Sequence, residues 1–172
     1  DNSNNLLLDS AFVDINNDGF DDLIAGFGNG NSGSLIFINS NGKFDENNYI
    51  NIPESIYGEK NQQHMVTLSN DFDNDGDIDL AIQYTRLDPF YGGNYIQILI
   101  NDGQGNFSDT TSTILGNATK DSYKEGWVPH WQLIDFNNDG HMDIAGVTSD
   151  DENLLGMRLA SGIPLIYLND GS

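Results

Sequence analysis

The sequence has no cysteine, so neither a disulfide framework nor a thiolate metal site is open to it. It has only 6 basic residues against 27 acidic ones, a formal charge of −21. Nucleic-acid binding needs Lys and Arg to neutralise phosphates, so nucleic acid is excluded as a partner, and anionic membrane surfaces with it. No apolar run approaches the roughly 20 residues of a spanning helix, so no membrane insertion is expected. No signal peptide opens the chain, because Asp1-Asn2-Ser3-Asn4-Asn5 is polar, and the start is read as a processed or trimmed one. Helical periodicity is weak throughout. Apolar residues make up 37%, low for a compact domain but above a disordered composition.

What is abundant is turn chemistry and negative charge. Glycine occurs 19 times and asparagine is frequent, so the 172 residues are rich in tight turns. That length suits one domain with a sizeable core or a few small repeated units. The acidic balance favours cationic partners, metals above all.

Three segments line up, beginning at Phe12-Val-Asp14, Asn70-Asp71 and Ile134-Asp135, and each runs through Asp-Gly to a further aspartate. Their first aspartates are Asp14, Asp71 and Asp135, so the unit recurs after 57 and then 64 residues. A second shared element follows each: Leu35 to Phe44, Ile96 to Phe107 and Leu165 to Gly171. Two elements in one order, three times over, mark an internal repeat.

Short β-branched or aromatic runs bounded by Gly, Asn, Asp and Pro read as strands. They lie near 6–13, 22–27, 34–39 and 48–52, then 64–70, 79–85, 95–101 and 111–115, then 130–135, 143–148 and 164–168. About 60 residues with four short strands is the size of a propeller blade. A β-sandwich also has such strands, but it gives no reason for a threefold repeat. The expected fold is therefore all-β. It comprises about three four-stranded antiparallel blades of a partial β-propeller, over about 6–62, 63–125 and 126–172. The last blade lacks its fourth strand. With open faces at both ends, either further blades or self-association is expected.

Each repeated loop reads Asp-x-(Asp/Asn)-x-Asp-Gly-x-x-Asp. Ca²⁺ takes about 6–8 oxygens at roughly 2.3–2.6 Å, and alternate residues of a tightly turning loop can point theirs inward. Glycine at position 6 permits a sharp turn with φ > 0. Position 7 would donate its backbone carbonyl, which suits three unlike residues there. One site would use Asp14, Asn16, Asp18, the Phe20 carbonyl and Asp22. The next would use Asp71, Asp73, Asp75, the Asp77 carbonyl and Asp79. The third would use Asp135, Asn137, Asp139, the His141 carbonyl and Asp143. Ordinary Asx-turns also use Asp, Asn and Gly, but stacking carboxylates in a nine-residue loop is costly without a cation. Three Ca²⁺ per chain, bound between the first and second strands of each blade, are expected.

An EF-hand would need a bidentate Glu at position 12, where this chain has Ala25, Ile82 and Gly146. Dockerin-type loops fail at the same position, and thrombospondin-type repeats would bring cysteines. The chain resembles the integrin-type FG-GAP repeat and its bacterial relative, the VCBS repeat. The resemblance rests on Phe12-Val-Asp14, on Asp18 to Leu23 with its counterparts Asp75 to Leu80 and Asp139 to Ile144, and on the turns Asn41 to Phe44 and Asp102 to Phe107. It implies a β-propeller with calcium in the loop joining the first two strands of a blade. Family propellers usually have about seven blades, against three here.

Other signals point less far. Gly28, Gly30 and Gly33 match a dinucleotide fingerprint, but a strand follows instead of a helix, so the segment reads as a hairpin turn. Trp127, Trp131, Phe90 and Tyr91 lie in aromatic stretches that could stack on a glycan or meet a protein. The competing reading packs Trp131 between blades and lays Trp127 over a loop. His64, His130 and His141 are scattered, and no Ser-His-Asp or nucleophile-elbow pattern appears, so no enzyme is expected. The expected role is a calcium-binding, secreted or cell-surface scaffold for binding or adhesion. The alternatives are an accessory, non-catalytic domain of a large secreted polysaccharide-active enzyme, or a purely structural spacer.

Overall fold

A computed structural model describes residues 6–28, 33–88, 93, 95–115, 131–147 and 164–170. These residues form three antiparallel sheets in chain order. The first is β1 (Leu6–Val13), β2 (Asp22–Gly28), β3 (Leu35–Asn39) and β4 (Phe44–Asn51). The second is β5 (Gln62–Asn70), β6 (Asp79–Arg86), β7 (Tyr95–Asn101) and β8 (Phe107–Asp109). The third contains β9 (Trp131–Ile134), β10 (Asp143–Val147) and β11 (Pro164–Tyr167). Each described sheet is a plain meander, with every strand hydrogen-bonded to its neighbour in sequence. The expectation of an all-β chain with strands flanking each acidic loop holds. The Gly28 to Gly33 segment connects the antiparallel pair β2 and β3, as a hairpin does, although 29–32 lie outside the described residues.

One strand assignment is corrected. Residues 111–115 were expected to be a strand because of their β-branched content. The outer strand of the second sheet is instead Phe107–Asp109, and Thr111–Ile114 forms a single helical turn, α1. The Asp109 carboxylate accepts the Thr111 backbone N–H at 3.0 Å, and the Thr111 hydroxyl accepts the Ile98 N–H at 2.8 Å. Those local side-chain bonds outweigh a weak β preference.

Alternation along the strands sorts the apolar residues into two inter-sheet cores. Ile24 pairs across the ladder with Ile36, and both turn with Ile15 toward the second sheet. Leu80 pairs with Leu99, and these turn back to meet them with Ile82, Tyr84 and Tyr95. On the opposite face of the second sheet, Ala81 and Ile98 pair and join Phe72 and Ile96. Trp131 and Ile144 of the third sheet close that second core. The inner strands lie side by side, β5 against β1 and β2, and β9 against β5. Burying a Leu or Ile side chain is worth about 1.5–3 kcal/mol, so these two faces carry much of the fold's stability.

Between the first two sheets sits a buried polar group. The His64 ring is fully buried, with Nδ1 2.7 Å from the Ser34 hydroxyl and Nε2 2.7 Å from the Thr67 hydroxyl. The ring lies against Gly26, where an added Cβ would come within 2.6 Å of it. Burial lowers the His64 pKa to about 3, so the imidazole is neutral.

Candidate metal centre

The three acidic loops close with the same bonds at the same positions. Position 5 donates its N–H to the carboxylate at position 1 at 3.1 Å in all three loops (Asp18 to Asp14, Asp75 to Asp71, Asp139 to Asp135). The same N–H reaches the side chain at position 3, Asn16, Asp73 or Asn137, at 3.1 to 3.2 Å. The glycine N–H at position 6 bonds the other oxygen of position 1 at 2.8, 3.0 and 3.1 Å. The N–H at position 7 bonds the carboxylate at position 5 at 2.9, 2.9 and 2.8 Å. Gly19, Gly76 and Gly140 have φ of 89°, 98° and 95°, as expected at position 6. Asn17, Asn74 and Asn138 at position 4 are also left-handed, with φ near 57° to 62°. Asparagine is among the few residues that tolerate that region.

Position 9 braces each loop against its sheet. Asp22, Asp79 and Asp143 are fully buried. One carboxylate oxygen of each accepts the position 2 N–H: Ile15 at 3.1 Å, Phe72 at 2.7 Å and Phe136 at 2.8 Å. The other accepts the N–H of an asparagine ending the sheet's third strand or just past it: Asn39 at 2.7 Å, Asn101 at 2.8 Å and Asn169 at 2.7 Å. Burial pushes Asp79 up to about 6 against the lowering effect of those N–H bonds, and Asp73 and Asp75 add to the rise. Burial likewise raises Asp22, with Asp18 and Asp14 contributing. Asp73 is raised by desolvation and by Asp75. Exposed Asp139 is lowered by the N–H of His141 and the amide of Asn137.

One ligand atom each of Asp71, Asp73 and Asp79 lies within 4.8 Å of the other two. That is a set of hard oxygen donors of the kind Ca²⁺ takes, and it fits a divalent cation. Among the described residues none of the loop acids is paired with a lysine or arginine. Asp75 lies outside this group, its Oδ1 held by the Asp77 N–H. The first and third loops have asparagine at position 3, Asn16 and Asn137, and do not gather three acids in this way.

The three unlike residues at position 7 read as unconstrained by type, yet in the second and third loops that side chain meets an asparagine of the loop before. Asn17 of the first loop donates to the Asp77 carboxylate of the second at 2.6 Å. Asn74 of the second meets His141 Nδ1 of the third at 3.3 Å. A second cross-link repeats as well. The Asn101 amide donates to the Ile15 carbonyl of the preceding loop at 2.8 Å, and the Asn169 amide to the Phe72 carbonyl at 3.1 Å. The Ile-Asn and Leu-Asn endings of the second shared element were the available signal, but the sequence reading placed Asn39 and Asn101 only as the ends of strands.

Of the aromatic candidates, Phe90, Tyr91 and Trp127 lie outside the described residues, as does His130. Trp131 is 5% exposed, packed in the core between the second and third sheets with its ring 5.8 Å from Tyr167. It is therefore closed to a stacking ligand. The fold does bring together a serine, a histidine and an aspartate that the sequence did not reveal: Ser34, His64 and, 3.8 Å from Nε2, Asp9. Ser34 and His64 are buried, so no substrate reaches the hydroxyl, and the group serves packing.

Residues 71–146 match the family model described as FG-GAP-like repeat, and the resemblance read from the loops is shown over that stretch. The matched span runs from the second acidic loop into β10 and so covers two of the three loops. No curated protein matches the chain. FG-GAP-like repeats are typically non-catalytic and typical of extracellular proteins. Among the described residues no helix is long and apolar enough to cross a membrane.

Proposed function

We propose that this chain is a calcium-loaded segment of a β-propeller that serves outside the cell as a scaffold for binding a protein or a glycan. Its three sheets are blades, within repeats of about 6–62, 63–125 and 126–172. Each acidic loop holds one Ca²⁺ through positions 1, 3, 5 and 9 and the position 7 carbonyl. The observation that carries the reading is the convergence of Asp71, Asp73 and Asp79 without a basic partner, in a loop whose bonding pattern recurs in the other two. A bound Ca²⁺ would supply the charge neutralisation that the clustered carboxylates lack. The chain's own part is to fix the loop: glycine makes the turn, position 1 gathers the backbone N–H groups, and position 9 ties the loop to its sheet. Outside cells, millimolar calcium keeps even weak loops filled, since extracellular modules often bind at about 10⁻⁴–10⁻³ M.

Thermal melting with and without calcium tests this. A metal that binds the folded but not the unfolded chain stabilises by about 2.7 kcal/mol per site at a hundredfold excess over Kd. Chelation should lower the melting temperature clearly and calcium should restore it. Magnesium should do so poorly, because it demands octahedral geometry and keeps its waters. A melting curve indifferent to chelator and calcium alike would contradict the reading.

A further inference from the structure

Two asparagines outside the acidic loops hold loop backbone on both sides of a boundary between sheets. Asn101, at the end of β7, is 2% exposed, and both polar atoms of its side chain are bonded. Its amide donates to the Ile15 carbonyl of the first loop at 2.8 Å and to the Ile78 carbonyl of the second at 3.0 Å. Its side-chain oxygen accepts the Gly105 N–H at 3.0 Å, and its own backbone N–H donates to the buried Asp79 carboxylate at 2.8 Å. Asn169, just past β11, repeats the two long-range bonds. Its amide reaches the Phe72 carbonyl of the second loop at 3.1 Å, and its backbone N–H the Asp143 carboxylate of the third at 2.7 Å.

These bonds fall on groups that set ligand positions. Ile15 and Phe72 stand at position 2, so holding their carbonyls holds the peptide planes from which Asn16 and Asp73 emerge at position 3. The N–H groups of Ile15 and Phe72 are bonded in turn to Asp22 and Asp79 at position 9. One unbroken hydrogen-bonded path results. It runs from Asp22 through Ile15 to Asn101, on through Asp79 and Phe72 to Asn169, and ends on Asp143. The path passes through the position 9 acid of all three loops. Removing a buried amide from it leaves a carbonyl without a donor where water does not replace one.

We infer that Asn101 and Asn169 are positioning residues for calcium, each acting on two loops: Asn101 on the first and second, Asn169 on the second and third. Neither touches the ion. Each holds the position 2 peptide of the loop before it and the position 9 carboxylate of the loop in its own sheet. The first and second loops therefore owe part of their ligand geometry to the sheet that follows. A role confined to general stability would show no such choice among loops. The inference rests on the reading of the loops as calcium sites.

The test is a calcium titration of the full 172-residue chain, followed loop by loop with nuclear magnetic resonance. Gly19, Gly76 and Gly140 report the three loops, since each glycine N–H bonds the position 1 carboxylate. Losing one hydrogen bond corresponds to about a two- to tenfold change in an equilibrium constant. Asn101→Ala should weaken calcium by about that factor as read at Gly19 and Gly76 and leave Gly140 unchanged. Asn169→Ala should weaken it at Gly76 and Gly140 and leave Gly19 unchanged. Asn39 bonds Asp21 and Asp22 of its own sheet, so Asn39→Ala should move Gly19 alone. Asn169 is partly exposed, so its variant carries the test if Asn101→Ala fails to fold. For Asn101→Ala or Asn169→Ala, no change, equal weakening of all three loops, or weakening only at the loop of the variant's own sheet would overturn the inference and leave the calcium reading intact. Glycine resonances that ignore calcium in the parent chain would overturn that reading, and the inference with it.

Discussion

The second sheet and the two sheets beside it are built from the same repeated pattern, yet they solve different packing problems. Leu80, Ile82 and Leu99 on one face of the second sheet and Ala81, Ile96 and Ile98 on the other are all buried. Each flanking sheet buries one such set: Ile24 and Ile36 in the first, Trp131 and Ile144 in the third. Their other faces leave Leu23 and Phe37 half-buried and Phe136 and Ile166 exposed. A repeat of this kind buries little by itself and takes its stability from its neighbours. The position in the array, more than the residue type, therefore sets how much a given side chain contributes.

The largest expected effect follows from truncating matched residues. Leu80→Ala or Leu99→Ala in the covered sheet should cost about 2–5 kcal/mol, because a fully enclosed site cannot collapse around the cavity. Leu23→Ala, at the matching position of the half-covered sheet, should cost less than half as much. Urea denaturation of the single-chain species would check this, and equal losses would erase the distinction between the sheets.

The interface between the first two sheets has its own signature in acid. His64 has a folded pKa of about 3 against 6.5 unfolded. Between those values the unfolded chain binds more protons, so stability is fully present above pH 6.5 and falls as the pH drops toward 3. The slope approaches about 1.4 kcal/mol per pH unit. The stability difference between the parent chain and His64→Gln should therefore shrink with acidification. A difference constant from pH 7 to pH 4 would place the ring in water.

Smaller effects separate the cross-links. Asn101 is buried and donates to the Ile15 and Ile78 carbonyls, so Asn101→Ala should cost about 1–3 kcal/mol by leaving acceptors unpaired. Asn39→Ala removes only one such inward bond at a partly exposed site and should cost less than about 1 kcal/mol in the single chain. Smallest in overall stability is Asp75→Ala. At positions 1, 3, 5 and 9 the second loop carries four carboxylates against three in each of the others, so it should bind calcium tightest. The substitution should weaken calcium at that loop and leave the other two nearly unchanged, as calorimetry on the variant would read.

The sequence carried the strands and loops because their causes are local. Short apolar runs bounded by turn residues mark β2, β6 and β10, and Asp-Gly punctuation marks the turns where Gly19, Gly76 and Gly140 take positive φ. It misled at 111–115, where Thr111 and Thr113 argue for a strand but the Asp109 carboxylate turns the backbone aside. What it could not carry is distant in the chain. The Asn101 bond to Ile15 spans 86 residues and the Asn169 bond to Phe72 spans 97. Neither residue is unusual by type, and only the register between sheets gives them their partners. The position 7 side chains show the same limit: Phe20, Asp77 and His141 look unconstrained by type, yet two of them receive an asparagine from the loop before.

If the three loops are calcium sites as proposed, the number of bound ions per chain decides it. Anomalous scattering from crystals grown in calcium, or calorimetric titration of the metal-stripped chain, should give three Ca²⁺ per chain. They should lie at Asp14 to Asp22, Asp71 to Asp79 and Asp135 to Asp143. Finding none in saturating calcium, or one alone, would contradict the account and leave the loops as acidic turns held by their own backbone bonds.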